Sequence, residues 1–102
     1  MAKLKENSYK VFDFVKTHEE ENITAKDIAA ALDLDPRQVN GIITAAFQRH
    51  REEVGDEKVV IPLMERIEGE IQKETEDGKI RHEAVKFIKL TDAGRAFEAE
   101  LE

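Results

Sequence analysis

The chain has 102 residues, 40% of them hydrophobic and 38% charged, with a formal net charge of −7 and no cysteine. That length suits one domain over residues 1–102 with one small core, and the missing cysteines exclude disulfides and thiol chemistry. The opening Met1-Ala-Lys-Leu-Lys-Glu-Asn7 lacks the apolar run of a signal peptide. Runs such as Ile28 to Leu32 are too short to span a bilayer, so a cytoplasmic protein with no membrane partner is expected.

Asn7 or Ser8 can cap a first helix. Tyr9, Phe12 and Val15 recur in it at helical spacing, with Val11 and Phe14 widening the stripe. The run Glu19 to Asn22 ends it, and Ile23 suits a one-residue β-bridge. Thr24-Ala-Lys-Asp27 resembles a capping box at the start of a second helix. Ile28, Ala31 and Leu32 form the apolar edge of that helix, while Ala29 and Ala30 allow close helix approach.

Asp33-Leu34-Asp35 reads as a turn, with Leu34 pointing back to the core. Asp35 is a good N-cap, and Pro36 falls at the first helical position, where its missing N–H costs nothing. The third helix is expected from Pro36 to about Glu53. Val39, Ile42, Ile43, Ala46 and Phe47 share one stripe. The opposite stripe holds Arg37, Gly41, Thr44 and Gln48, flanked by Gln38, Asn40, Ala45 and Arg51. Two short helices joined by a tight turn are the sequence form of a helix-turn-helix, which sets its second helix into the DNA major groove. The polar stripe suits base reading: Arg pairs with guanine edges, Asn or Gln with adenine edges, and Thr or Ala methyls touch thymine. Gly41 removes a side chain where a backbone could approach DNA.

The second half reads as a hairpin centred on a two-residue Asp77-Gly78 turn. That register sets Glu76 opposite Lys79, Glu74 opposite Arg81, Ile71 opposite Ala84 and Ile67 opposite Ile88. One face then collects Ile67, Ile71, Ala84, Ile88 and Leu90 for packing on the helices. The other holds Arg66, Glu68, Glu70, Val85, Phe87 and Lys89. Thr91 caps a last helix whose apolar edge is Ala93, Ala96, Phe97 and Leu101.

Charge is unevenly spread. Residues 36–51 carry three basic and no acidic side chains, residues 72–90 are net +1, and residues 52–71 are net −5. The two positive windows are the third helix and the hairpin.

Three places resemble the winged-helix regulators of the MarR and PadR type over about residues 8–101. The turn Leu32 to Val39 resembles that family's Leu-x-Leu-x-x-x-x-Val entry into the recognition helix. Leu63-Met-Glu-Arg66 resembles its Leu-Ile-x-Arg entry into the wing, and Leu90-Thr-Asp-Ala-Gly94 its Leu-Thr-x-x-Gly exit. The resemblance implies an α+β fold: a winged helix-turn-helix of three helices, a two- to three-stranded β-wing and a C-terminal helix. It also implies a regulator of double-stranded DNA, with Arg37, Gln38, Asn40, Thr44 and Gln48 reading bases and Lys79 and Arg81 taking phosphates. Gly41 and Arg51 complete the expected interface. The chain departs from the pattern in three ways. Pro62 replaces the glycine before the wing, residues 50–62 are extra material, and the long dimerising terminal helices are missing.

His18, His50 and His82 fall in separate elements without ligand spacing, and no glycine-rich phosphate loop occurs. Neither a metal, a cofactor nor an enzyme is expected. A homodimer is expected, because one copy reads one half-site. The apolar residues left for contact are Val85 and Phe87, Phe97 and Leu101, and the segment 54–63. The acidic balance supports an alternative: a winged-helix protein-interaction module without DNA binding.

Overall fold

The computed structural model describes residues 2–102 and is a mixed α+β fold. A short strand β1, Ala2–Leu4, precedes helix α1, Glu6–Thr17. Lys5 stands at the N-cap of α1 without a side-chain cap, so Asn7 and Ser8, expected as caps, lie inside the helix. Val11, Phe12 and Val15 form its buried face.

Helix α2, Ala25–Leu32, starts with the capping box its sequence encodes. The Asp27 amide donates to Thr24 Oγ1 at 3.2 Å, and the Thr24 amide donates to Asp27 Oδ2 at 3.0 Å. Ile28 and Ala29 are buried, whereas Ala31, expected on the apolar edge, is exposed. The helix stops at Asp33, whose φ of 56° is left-handed; aspartate is among the few side chains that tolerate this. The Leu34 amide then donates back to the Ala29 carbonyl at 2.9 Å, satisfying a helix-end acceptor. Asp35 Oδ1 accepts from the Arg37 amide at 2.8 Å and opens helix α3, Pro36–Ile42.

This third helix is shorter than expected. After Ile42 the chain widens into a π-helical turn, Ile43–Gln48, closed by the Arg49 amide donating to the Thr44 carbonyl at 3.1 Å. A step of four residues overshoots a full α-helical revolution by about 40°. The wider second turn falls short of a revolution and offsets that drift, so Val39, Ile43 and Phe47 all stay fully buried.

Residues beyond the turn form a second hairpin that the sequence pattern did not suggest. β2, Arg51–Val54, pairs antiparallel with β3, Glu57–Val60, through Gly55 at φ +67°. Arg51, expected on the helix, opens this strand instead.

β4, Met64–Glu74, and β5, Ile80–Leu90, form a long antiparallel ribbon. Its register differs by one residue from the expected one: Met64 faces Leu90, Ile67 faces Phe87 and Glu74 faces Ile80. The cause is the turn. The Gly78 amide donates to the Thr75 carbonyl at 3.0 Å, and the Thr75 amide donates to the Lys79 carbonyl at 2.8 Å. With Gly78 at φ +78°, the loop has three residues, a turn completed by a left-handed glycine, rather than two. The slip turns every β4 side chain over. Met64 and Arg66 share the core side with Ile88 and Leu90, while Ile67 and Ile71 join Val85 and Phe87 on the outer side. Gly69 leaves room there for the Phe87 ring, from which a Cβ at that position would lie 2.4 Å. The β-bridge expected at Ile23 forms one residue later, between Thr24 and Phe87, with the Ile88 amide donating to the Ile23 carbonyl at 2.8 Å.

Helix α4 is only Asp92–Ala96, capped by Thr91 Oγ1, which accepts from the Gly94 amide at 3.0 Å. Phe97 turns extended and sets its ring edge-on to Phe12 at 5.4 Å. The chain then forms β6, Ala99–Leu101, parallel to β1. Leu101, expected on a helix edge, is 56% exposed on this strand. The core gathers α1, α2, α3, the π turn and the base of the ribbon: Val11, Phe12, Val15, Ile23, Ile28, Ala29, Val39, Ile43, Phe47, Leu63, Met64, Ile88 and Leu90. Among the described residues no helix is long and apolar enough to cross a membrane.

Candidate nucleic-acid interface

The buried side of α3 fixes what its other side can present. With Val39 and Ile43 in the core, Arg37, Gln38, Asn40, Gly41 and Ala45 are exposed. Thr44 and Gln48 are half-buried, because the base of the ribbon lies beside them. A Cβ built on Gly41 meets nothing within 4 Å, so no packing inside the molecule requires a glycine there.

Arg66 is the residue the sequence pattern undervalued. The Leu-x-x-Arg motif marked it, but the expected register turned it outward. In the observed register it faces Ile88 on the core side and reaches α3. Its Nη1 donates to Gln48 Oε1. The two N–H groups of its Nη2 are shared among Asn40 Oδ1 at 3.2 Å, the Asn40 carbonyl at 3.3 Å and Thr44 Oγ1 at 3.3 Å. Ribbon and helix are thereby joined through three of the expected base-reading residues. Correct strand parity would have been the signal to find it.

The expected interface has four cations, Arg37, Arg51, Lys79 and Arg81, and Arg49 lies beside them in sequence. Among the described residues Arg37, Arg49, Arg51, Lys79 and Arg81 make no ion pair, and all five are exposed. They do not form one cluster. Arg81 sits opposite Lys73, seven residues along the strand from Arg66, or about 23 Å away. It lies on the ribbon face opposite to that of Arg66. Lys79 is farther out, in the turn. Lys73 is not free: its Nζ lies 2.7 Å from Glu83, which holds the Glu83 carboxyl below its usual pKa. On the helix-facing side the ribbon carries Glu68, Glu70 and Glu74 against Lys86 and His82. The positive character of the expected interface therefore belongs to the segment 36–51.

The motif after the ribbon is structural. Thr91 Oγ1 donates to the Pro62 carbonyl at 2.6 Å, and the Thr91 amide donates to the Leu63 carbonyl at 3.1 Å. Gly94 packs so closely that a Cβ would lie 2.0 Å from the same Leu63 carbonyl oxygen. These contacts tie both ends of the ribbon to the core, and Pro62 contributes a carbonyl rather than a turn. Among the described residues no three His, Cys, Asp or Glu side chains are grouped to hold a metal ion. No protein-family model, curated protein or solved structure matches this chain.

Proposed function

We propose that the protein is a cytoplasmic winged helix-turn-helix regulator that binds double-stranded DNA and acts by binding rather than catalysis. The observation that supports this best is the exposed face of α3 and of the π turn after it: polar, within a stretch from Pro36 to Arg51 that has no carboxylate, and held by two capped helix starts and a buried stripe. In this reading α3 enters the major groove. Arg37, Gln38, Asn40, Thr44 and Gln48 meet base edges, Gly41 lets the helix backbone approach, and Arg51, Lys79 and Arg81 take phosphates. A ribbon that carries Arg81 about 23 Å beyond Arg66 reaches the backbone beyond the groove that α3 occupies. Two copies read two half-sites, joined through Ile67, Ile71, Val85 and Phe87 on the outer face of the ribbon.

The net charge of −7 repels DNA at long range, so steering is weak and contact is local. Each phosphate neutralised adds about −0.9 to the slope of log affinity against log salt. The test is a selection from random duplex DNA at low salt, followed by titration of the enriched sequences. The reading expects a discrete motif and a shallow salt slope; absence of any enriched sequence overturns it.

The apolar outer face favours a second reading, a protein-interaction module. Ile67 is 45% exposed there with Ile71, Val85 and Phe87 half-buried around it. That reading expects no enriched DNA.

A further inference from the structure

Arg66 does more than brace the ribbon. A guanidinium has N–H donors and no acceptor, so each group it binds must offer an acceptor, which in Asn, Gln and Thr side chains is the oxygen. Here it takes the side-chain oxygens of Asn40, Thr44 and Gln48. An amide side chain has one oxygen and one NH2 group. With the oxygen held by a cation, the NH2 is what remains to face outward. Pairing of Asn or Gln with adenine uses both ends, the oxygen accepting from N6–H and the NH2 donating to N7. Guanine offers two acceptors, O6 and N7, and needs only donors. A second lone pair stays on each amide oxygen, but a full positive charge at hydrogen-bond distance weakens it as an acceptor for a neutral N6–H.

We infer that Arg66 is a positioning residue that commits Asn40 and Gln48 to present amide donors alone, so that α3 selects guanine rather than adenine at the positions these two residues read. The inference rests on the DNA-binding reading and deepens it. Thr44 follows the same logic: its hydroxyl accepts from Arg66 and keeps its proton to donate. Arg37, exposed and free of ion pairs, adds further donors. The face of α3 thus becomes a donor surface, matched to the acceptor-rich edge of guanine and mismatched to the N4–H2 of cytosine.

Two measurements test this. In the first, sequences are selected from random duplex DNA by the wild type, Arg66→Ala and Arg66→Lys. The wild type should enrich guanine at the positions that lose preference in Asn40→Ala and Gln48→Ala. Arg66→Ala should move the guanine-to-adenine ratio there by about tenfold toward adenine, with Arg66→Lys between them. Arg66→Ala that binds more weakly but keeps the wild-type base preference overturns the inference while leaving the DNA reading intact. No enrichment by the wild type overturns both. The second measurement needs no DNA: the side-chain NH2 resonances of Asn40 and Gln48 are compared among the three proteins by NMR. They should shift in Arg66→Ala, and in Arg66→Lys should Arg66→Ala not fold. Unmoved resonances overturn the positioning contact whatever the DNA result.

Discussion

The helical end of the molecule and the outer part of its ribbon are held together by different forces. Among the described residues every buried side chain belongs to the helices, the π turn, Ile23, or the ribbon base at Leu63, Met64, Ile88 and Leu90; from Glu65 to Phe87 none is buried. The first region is stabilised by apolar burial and capped helix ends. The second has a hydrogen-bonded ladder, a specific turn and one apolar stripe. The helical end therefore fixes the α3 face firmly, and the ribbon is an extension that tolerates change.

Substitutions can break or sharpen that contrast. Phe47→Ala removes a fully buried ring and should cost about 3–5 kcal/mol in denaturant unfolding, whereas Ile71→Ala on the ribbon should cost under about 1 kcal/mol in dilute protein. If the Ile71→Ala cost grows with protein concentration, the outer face is buried between two copies. Gly94→Ala drives a methyl into the Leu63 carbonyl and should cost about 1–3 kcal/mol. Removing the cap in Asp35→Ala should cost about 1 kcal/mol and leave the ribbon unchanged in hydrogen exchange. Gly41→Ala should do the reverse. It fills open space on a helix, so it should stabilise by about 0.5–1 kcal/mol while weakening DNA binding; equal or better binding would remove the backbone-approach role.

The smallest effect is in acid. The Thr75 hydroxyl, then a backbone hydrogen bond at Asp77 itself, hold the exposed Asp77 carboxyl below its usual 3.8. A carboxyl depressed in the folded state contributes stability above its ordinary pKa and loses it as pH falls through the lower, folded value. The Thr75 and Gly78 amide resonances should therefore stay in place down to pH 3.8 and move only below it.

What could be read from the sequence follows the range of the interactions. The capping box at Thr24, the Asp35-Pro36 start and the Thr91 cap were legible because each signal and its partner lie within three residues. The α1 start was not, because Lys5 caps it without any side-chain bond. Ribbon register was ambiguous for a physical reason. Ile67 and Ile71 alternate as regularly as Val85 and Phe87 do, so either register gives an apolar face, and the loop at Gly78 decides. The pairing of β1 with β6 joins the two ends of the chain, where no local pattern operates. The five expected reading residues do lie on or beside the exposed side of α3 and its π turn, whereas Arg51 lies on β2. The bonds from Arg66 that join three of them were hidden by the one-residue slip.

The most direct test of the account is an NMR titration of the labelled protein with a selected duplex, following every backbone amide. The account predicts the largest shifts from Arg37 to Gln48 and at Arg66, smaller ones at Lys79 and Arg81, and little change along Ile67, Val85 and Phe87 once the dimer has formed. Shifts confined to the outer face of the ribbon, with α3 silent, would contradict it.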